Sequence, residues 1–569
     1  MPTILSQLRT TFQNAIRNTL NTDADPLLVP ATQEKFGDYQ CNAAMVLAKQ
    51  LKLKPREVAE KIVGSVRTEG WIDRLEIAGP GFINIFLSPQ WVESYLRSVV
   101  NDPRLGIEPK SSPETVVVDY SGPNIAKEMH VGHLRSTIIG DAVSRVLEFL
   151  GDKVIRQNHL GDWGTQFGML IAYLKSHPGG SADESLSDLE QFYRQAKKRF
   201  DEDAEFQNQA RQMVVKLQSG DPDVILVWKS IVQATRSHFQ PIYQRLQVLL
   251  TQEHERGESF YNPMLRSVVD DLKQRGLAVE SEGAIGVFVD GPDKPPLIIE
   301  KSGGGFLYGT TDLAAIRYRV NELQANRIIY FTDSRQSQHF SQVFRVAKQA
   351  GWAERVSLEH APFGTILGKD NKPFKTRSGD TVKLKDLLDE AEERAYPLVA
   401  EKNPDLPETH KREVAQAVGI GAVKYSDLSK DRTSDYVFDW DQALALNGNS
   451  APYLQYAHAR ICAIFRKAQT SGASSAQALH LQSPQEIKLA KHLLRLGEAL
   501  DQVARELKPH FLCSYLYDLA TSFSHFYEHC PVLKSEEPTR SSRLVLCHLT
   551  AKTLALGLDL LGIQHPEQM

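Results

Sequence analysis

The sequence predicts an α/β protein with a doubly wound parallel sheet at its centre and helices in its last third. The β-branched run 115–121 is typical of a buried parallel strand, and a helical pattern starts at Gly132. A second strand pattern at 153–160 completes a βαβ unit, which favours a parallel sheet. From about residue 383 the apolar residues follow helical spacing almost to the end. For 569 residues we expect about three or four domains.

Ahead of the sheet, residues 1–105 are expected to form a small α/β domain. Helical spacing over 43–51, a proline at position 55 that suits a first helical turn, and strand alternation over 79–88 support it. The first 22 residues lack Asp and Glu, so a transit peptide and an amphipathic helix are alternatives, and the spacing favours the helix. The proline-rich, aperiodic stretch 101–115 predicts a linker.

Residues 106–385 are expected to form the Rossmann-like domain. Highly charged helical patterns at about 175–280 indicate an insertion between its two halves. Strand patterns return at 284–291, the stretch 296–311 is typical of a hairpin, and 327–333 predicts the strand of the second half.

The remaining residues are expected to form a helical junction at 386–440 and a helical bundle at 441–569. The bundle has 12 Lys and Arg against 11 Asp and Glu, so it is only marginally cationic. Stretch 361–385 is more basic, with six Lys and Arg against two Asp. Any polyanion would therefore be held by local patches, stacking and shape.

Composition excludes several classes of protein. With 66 Lys and Arg against 70 Asp and Glu, the net charge of -4 excludes a globally cationic nucleic-acid binder. No run approaches the ~18 apolar residues of a membrane helix. The five cysteines include no CxxC pair, so we expect neither a disulfide framework nor structural zinc. A cytoplasmic protein without membrane contact is favoured.

The stretch DYSGPNIAKEMHVGHLRST (119–137) carries the strongest chemical signal. His130 and His133 flank Gly132 where the predicted strand gives way to the helix. A helix N-terminus suits phosphate, and imidazoles there can donate hydrogen bonds as charge develops on phosphate oxygens. Gly132 leaves space where a flat base could lie on the backbone. Two histidines at a helix start can also be simple caps, but the βαβ context favours a nucleotide site.

HVGH in this context resembles the HIGH signature of class I aminoacyl-tRNA synthetases. The resemblance is closest to arginyl-tRNA synthetases of the bacterial type, through stretches 121–142, 158–168, 372–384, 418–441, 448–460 and 526–533. It implies a class I Rossmann-like catalytic domain, an N-terminal added domain that reads the tRNA elbow, and a C-terminal anticodon-binding bundle. The alternatives are a class I synthetase for another amino acid and a non-catalytic synthetase-like RNA-binding protein.

The resemblance implies ATP-dependent ligation of L-arginine to its cognate tRNA. Arginine attacks the α-phosphate of ATP, pyrophosphate leaves, and the arginyl group of the adenylate passes to the 2′-hydroxyl of the terminal adenosine. Mg²⁺ is expected with the phosphates, where it uses mainly substrate oxygens and water. We expect a monomer that does not bind DNA, because cleft and bundle are complete in one chain.

The second class I signature, KMSKS, is missing from the sequence. The matching stretch is GKDNKPFKTRSGD (368–380), where Lys375 and Arg377 are the candidate phosphate ligands. A solvated surface loop is the alternative. In many arginyl enzymes a lysine just before the HIGH motif is thought to compensate, and Lys127 occupies that place. The resemblance thus gives Lys127, Lys375 and Arg377 catalytic roles beside the two histidines.

A guanidinium is a rigid, always charged fork of five donors, so an arginine pocket should supply carboxylates and neutral acceptors. The resemblance carries that role to Asp119, Asn124, His130, Tyr308, Asp312 and Gln336, with His339 as a weaker candidate. Asp312 could instead be a helix cap, and Asp119 an ordinary strand-end acid.

The resemblance also names tRNA contacts. Tyr453, Tyr456 and Met569 match positions near the anticodon, where aromatic faces can stack on unpaired bases. Phe82 and Asn84 match contacts with the D-loop. Packing into the domain cores is the alternative for the aromatic residues.

Two further motifs are coincidental in this interpretation. HFYEH (525–529) satisfies the HxxEH pattern of a zinc peptidase class, but few residues follow to supply a third ligand. SGGG (302–305) is a hairpin turn rather than a phosphate loop, because no GK[ST] follows.

Overall fold

The computed structural model describes residues 3–68, 70–176, 189–291, 293–302, 304–374, 382–470 and 479–569. Across these ranges, none of the helices combines the length and hydropathy that crossing a membrane would require.

The N-terminal domain packs helices on a four-stranded antiparallel sheet of order β1-β2-β4-β3. Its elements are α1 (Ile4–Leu20), β1 (Leu28–Pro30), β2 (Tyr39–Cys41), α2 (Ala43–Leu51), α3 (Pro55–Ser65), β3 (Ile72–Ala78), β4 (Phe82–Leu87) and α4 (Pro89–Val99). Leu8, Phe12 and Ile16 are fully buried, so the periodic pattern at the start of the chain is the packing face of α1. Strands β1 and β2 have three residues each, too few for alternation to predict them.

The predicted linker between this domain and the parallel sheet is folded into hydrogen-bonded turns. The Asp102 carboxylate accepts from the backbone N–H of Gly106 at 2.7 Å, and Arg104 Nε donates to the Ile107 carbonyl at 2.9 Å. The Lys552 ammonium, from the last helix of the chain, donates to the Asp102 carbonyl at 3.1 Å. Long-range contacts that no local pattern reveals therefore hold the segment in place.

The first half of the Rossmann-like region is β5 (Thr115–Asp119), α5 (Val131–Phe149) and β6 (Lys153–Gln157), followed by the helices of the insertion. Those helices are α6 (Thr165–Lys175), α7 (Leu189–Glu202), α8 (Ala204–Gln218), α9 (Pro222–Arg245) and α10 (Glu258–Gln274). Strands β7 (Ala278–Ser281), β8 (Ala284–Val287) and β9 (Leu297–Glu300) then form a small antiparallel sheet. The predicted hairpin is short: Glu300 pairs with Phe306 in a single bridge before the next helix begins.

The second half is α11 (Tyr308–Asn321), β10 (Arg327–Tyr330), α12 (Ser337–Gln349), β11 (Ser357–His360) and β12 (Ile366–Leu367). The main sheet is parallel, in the order β11-β10-β5-β6. The chain leaves β5 toward β6 on one side and returns to β10 on the other. The crevice between β5 and β10 is thus a topological switch point, where ligands of open α/β sheets bind.

The C-terminal part is helical apart from β13, which pairs with β12. Its elements are α13 (Leu384–Lys402), α14 (Glu408–Leu428), β13 (Tyr436–Val437), α15 (Trp440–Ala443), α16 (Ala451–Ala468), α17 (Pro484–Leu493), α18 (Leu496–Glu506), α19 (His510–His529) and α20 (Thr539–Leu560). One apolar core runs from α1 through α5 into this bundle, so the domains are packed together.

Candidate active site at the carboxyl ends of the parallel strands

The loop between β5 and α5 is held by a buried network of hydroxyl groups. The Ser121 hydroxyl lies 2.7 Å from the Tyr243 hydroxyl and accepts from the Thr137 hydroxyl at 2.8 Å. Farther along, the backbone N–H of Ala126 donates to Thr235 Oγ1 at 2.9 Å. Ser121 and Ala126 have positive φ angles of 76° and 62°, which cost free energy in non-glycine residues. Contacts with α9, from the insertion, therefore hold a loop that its own sequence disfavours.

His130 and His133 form a reciprocal cap at the start of α5. His130 Nδ1 accepts from the backbone N–H of Gly132 at 3.0 Å, and His133 Nδ1 accepts from the backbone N–H of His130 at 3.2 Å. A neutral imidazole that accepts at Nδ1 carries its proton on Nε2. Each ring therefore has a donor left at Nε2.

Both histidines are held neutral. Burial, and then the neighbouring His130, lower the pKa of His133 to about 3. Burial and the Lys127 ammonium lower the pKa of His130. A Cβ at Gly132 would lie 2.7 Å from His130 Cε1, so the close approach of the ring to the backbone requires glycine. The arrangement supplies two neutral donors at a helix N-terminus, as phosphate recognition needs.

The basic loop returns to this same place. The backbone N–H of Val131 donates to the Val382 carbonyl at 3.1 Å, and that of Leu384 donates to the Met129 carbonyl at 2.9 Å. At the other end, Phe374 packs its ring 5.6 Å from that of Phe438. Both anchors of the loop are thus fixed, and one is hydrogen-bonded beside the histidines. Lys375 and Arg377 themselves lie outside the described residues.

Lys127 lies on the insertion side of the histidines. Its ammonium is 4.7 Å from the centre of the Tyr193 ring on α7, and the side chain is exposed. A cation over an aromatic face is held loosely enough to be reoriented toward an anion.

A second group of polar side chains lies at the start of α11 and α12. His339 Nε2 is 2.6 Å from Asp312 Oδ2, and the Tyr308 ring lies 4.8 Å from the His339 ring. Tyr308 is 63% exposed, so its ring can cover a ligand. Gln336 is exposed at the N-cap of α12, and Asn124 is exposed where its loop pairs with Gly161. The structure brings Tyr308, Asp312 and His339 into contact as a group.

The Asp119 carboxylate forms an ion pair with a residue that the sequence did not suggest. Its carboxylate lies 2.5 Å from Arg319 Nη2, and Arg319 Nε donates to Gln157 Oε1 at 2.7 Å. Arg319 is fully buried and lies over the Tyr330 ring. The predicted role of Asp119 as a direct guanidinium ligand therefore has an internal competitor. In the sequence, the one sign of this ion pair is that Arg319 falls on the apolar side of the helical stretch LAAIRYRV (313–320).

Glu258 was missed by the sequence analysis. Burial, together with the nearby Asp162 and Asp312 carboxylates, raises its pKa to about 7. Asp162 also has its pKa raised by burial, and its carboxylate accepts from the Ser259 hydroxyl at 2.6 Å. Glu258 and Asp312 thus lie near each other although 54 positions separate them. A cation bound beside these carboxyl groups would favour their charged form.

Comparison with known proteins identifies the family. The family model for the catalytic domain of class I (R) tRNA synthetases matches residues 96–440. The arginyl tRNA synthetase N terminal domain matches 6–87, and the DALR anticodon binding domain matches 454–569. The chain belongs to the arginyl-tRNA synthetase family. The resemblance and the fold class stated from the sequence are both confirmed.

Relatives of this arginyl-tRNA synthetase family cover nearly the whole chain. The chain is 54% identical to arginine–tRNA ligases of Laribacter hongkongensis and Yersinia enterocolitica, over 96% of both chains in each case. Among solved structures, the Plasmodium falciparum arginyl-tRNA synthetase has a TM-score of 0.88 at 35% identity, covering 100% of each chain. The Thermus thermophilus enzyme has a TM-score of 0.83 at 27% identity, also over 100% of each chain.

Two of the residues predicted to contact the anticodon, Tyr456 and Met569, line a small cavity where the bundle meets α13. Tyr456 is 41% exposed and lines it together with Met569, Leu398 and Leu444. Tyr453 is half-buried, with its ring 5.8 Å from that of Tyr517. Of the two tyrosines, Tyr456 is thus the more exposed.

In the N-terminal domain the two predicted contacts differ in exposure. Phe82 is half-buried at the start of β4. Asn84 is buried, and its side-chain carbonyl accepts from Gln40 Nε2 at 2.8 Å. Asn84 thus supports the neighbouring Gln40 rather than presenting itself to solvent.

The HxxEH motif lies on the last turns of α19. Its ligand atoms are within 4.8 Å of one another, and all three side chains are exposed, namely His525, Glu528 and His529. Peptidase zinc sites sit in a shaped cleft that shields the metal-bound water. Three side chains on an open helix face do not provide such a cleft.

Proposed function

We propose that this chain ligates L-arginine to its cognate tRNA through an arginyl-adenylate, using ATP. The observation that carries the proposal is the pair of neutral histidines at the N-terminus of α5, at the switch point of the parallel sheet. The reaction is the one that arginine–tRNA ligases are named for, and each residue of the site is given a role in it.

In the first step, the acids near α11 bind the substrate guanidinium. Asp312 and Glu258 supply the carboxylates, and Tyr308 closes over the side chain. The raised pKa of Glu258 falls when a cation arrives, because the carboxylate then has its counter-ion. Asn124, Gln336 and His130 complete the pocket with neutral groups, and Asp119 acts through its buried partner Arg319.

ATP lies across the start of α5. The Nε2–H groups of His130 and His133 donate to phosphate oxygens, and the adenine rests on the backbone at Gly132. Lys127, Lys375 and Arg377 supply positive charge on the two sides of the triphosphate. Mg²⁺ arrives with the phosphates, bound by their oxygens and by water. Positioning and electrostatics provide the rate enhancement, since no covalent protein intermediate is needed.

In the second step, the 2′-hydroxyl of the terminal adenosine of tRNA attacks the arginyl carbonyl and loses its proton, and AMP leaves. The anticodon lies against Tyr453, Tyr456 and Met569, and the tRNA elbow against Phe82 with Asn84 behind it. This division of labour follows the boundaries 1–105, 106–385, 386–440 and 441–569, with the insertion at about 175–280. We propose that the enzyme acts as a cytoplasmic monomer that binds neither DNA nor membranes.

The decisive experiment is aminoacylation of purified tRNA with each amino acid in turn. We expect arginine alone to be charged, and Asp312→Asn to lower kcat/KM for arginine by about 10²-fold or more, because a cation then meets an uncharged partner. Asp290→Asn is the matched control, since that acid pairs with Arg345 on another face of α12 and should change kcat/KM little. Charging of lysine or cysteine instead would favour another class I specificity.

An RNA-binding protein without catalysis is tested separately. ATP–pyrophosphate exchange with arginine should occur in the wild-type chain when tRNA is present and be absent without it. Tight tRNA binding without exchange under either condition would replace the enzymatic proposal with the RNA-binding one.

A further inference from the structure

Lys424 of α14 is buried at a point where two distant helices end. It is fully buried, and its ammonium donates to the Leu246 carbonyl and to the Gly562 carbonyl, each at 2.5 Å. Leu246 is the C-cap of α9, from the insertion, and Gly562 follows the end of α20, the last helix of the bundle. One cation therefore satisfies carbonyl groups from two domains.

Arg145 of α5 donates to carbonyl groups at the same two helix ends. Its Nη1 donates to the Asp559 carbonyl of α20 at 3.2 Å, and its Nη2 donates to the Gln247 carbonyl just past α9. Its Nε donates to Asp141 Oδ2, one turn earlier on α5, at 2.7 Å. Arg145 and Lys424 thus each join the end of α9 to the end of α20, and we call the two side chains the cationic clamp.

The clamp suits the electrostatics of the two helix ends. The last carbonyls of a helix lack intrahelical partners and carry partial negative charge, so cations are favourable there. Asp141 is also buried and accepts from the backbone N–H of Leu249 at 2.9 Å, which ties the segment after α9 to α5 a second time. Burial lowers the pKa of Lys424 to about 7, while the Asp141 carboxylate and the two helix ends favour its charged form.

Gly562 is fitted to this place. Its φ of +63° is in the left-handed region, and a Cβ there would lie 2.6 Å from Lys424 Nζ and 3.4 Å from Arg145 Nε. Only glycine lets the chain turn so close to both cations. The bundle thus reaches the clamp through a residue without a side chain.

The clamp connects parts of the molecule that must cooperate in the proposed reaction. Helix α5 starts at His130 and His133 and carries Arg145 toward its other end. Helix α20 belongs to the bundle that holds the anticodon, and α9 supports the loop before the histidines through Thr235. Arg145 and Lys424 link α5 and α14 to the carboxyl ends of α9 and α20.

We propose that Arg145 and Lys424 are positioning residues, which hold the anticodon-binding bundle and the insertion in fixed orientation against the catalytic helix. Without the clamp, tRNA still binds the bundle, but its acceptor end is misaligned with the adenylate. This inference rests on the proposed ligase function. A misplacement of about 1 Å can cost up to about 10²-fold in rate, so the effect should appear in kcat.

The kinetic test compares Lys424→Met and Arg145→Met with the wild-type chain. We expect kcat for aminoacylation to fall by about 10- to 100-fold, while the Kd for tRNA changes by less than about threefold. The double variant should lose little more than either single variant, because both side chains act in one unit. Arg245→Met is the matched control: this residue lies at the same end of α9 but pairs with Asp389 and Glu392 on α13, and its kcat should stay near wild type.

A distance measurement tests the clamp independently of the ligase function. Spin labels at Glu205→Cys on α8 and Glu528→Cys on α19, in a Cys462→Ser background, report the distance between insertion and bundle. We expect a narrow distance distribution in the parent chain and a broadened one in either clamp variant. Arg145 is partly exposed and Asp141 keeps the hydrogen bond from the Leu249 N–H without it, so we expect Arg145→Met to stay folded even if Lys424→Met does not.

The outcomes distinguish the two proposals. If the parent chain does not charge arginine, the ligase proposal fails, and the spin-label distances still test the clamp. Unchanged kcat with an unchanged distance distribution in Arg145→Met would overturn the clamp. A large rise in the Kd for tRNA with normal kcat would also overturn it, since the residues would then serve tRNA binding instead.

Discussion

Helix α5 begins with neutral capping groups and carries ion pairs at the buried positions that follow. At its start, His130 and His133 are neutral, with donors left free for a ligand. Farther along, Arg135 and Asp427 form a buried ion pair at 3.0 Å, and Asp141 pairs with Arg145 at 2.7 Å. The contrast teaches that neutral donors at the helix start mark the site, whereas ion pairs along the same helix help to hold it against other parts of the chain.

Breaking the buried ion pair between Arg135 and Asp427 should have the largest effect. Arg135→Met leaves the Asp427 carboxylate buried without its cation and should lower the free energy of unfolding by about 3–5 kcal/mol. The double variant Arg135→Met with Asp427→Leu should recover part of that loss. Urea denaturation measures both, and kcat of the remaining folded enzyme should stay close to wild type. Equal loss in single and double variants would contradict a specific ion pair.

Removing one of the two capping histidines should leave the fold intact and remove activity. His133→Ala deletes one Nε2–H donor at the phosphates and should lower kcat for tRNA-dependent ATP–pyrophosphate exchange by about 10²–10³-fold. The free energy of unfolding should fall by only about 1 kcal/mol, the usual value of a cap. His480→Ala, at an exposed histidine of the bundle, is the control. Activity that survived the first change would place phosphate binding elsewhere.

The smallest expected effect is the change of arginine binding with pH. Glu258 has a pKa raised to about 7 because it is buried near other acids, and the guanidinium needs its carboxylate form. Arginine binding should therefore weaken as pH falls below 7, and kcat/KM for arginine should drop about tenfold per unit. Glu258→Gln should bind arginine more weakly and lose this slope. A wild-type profile that is flat between pH 5.5 and 7.5 would contradict the assignment.

Much of the architecture was readable from the sequence, because it depends on local pattern. The strand at 115–119, the helix from 131 and the strand at 153–157 follow from β-branched runs, periodicity and glycine caps. His130, Gly132 and His133 follow from their place at that strand-to-helix transition. The carboxyl-terminal helices follow from apolar spacing in the same way.

The site was less predictable, because its contacts join residues far apart in the chain. Asp119 looked like a free ligand until folding placed Arg319 beside it, 200 positions away. Glu258 looked like an ordinary helix-start acid until burial placed it near Asp312.

The sequence by itself determined the central βαβ unit, the helical carboxyl-terminal part, the family and the two histidines of the catalytic helix, since these depend on neighbours in the chain. Only the tertiary structure decided which charged groups are paired within the protein and which remain available to a ligand. Burial sets the protonation state of His133 and Glu258, and helix ends from two domains meet at Lys424. Pairing and desolvation depend on distances in space, and no spacing along the chain encodes them.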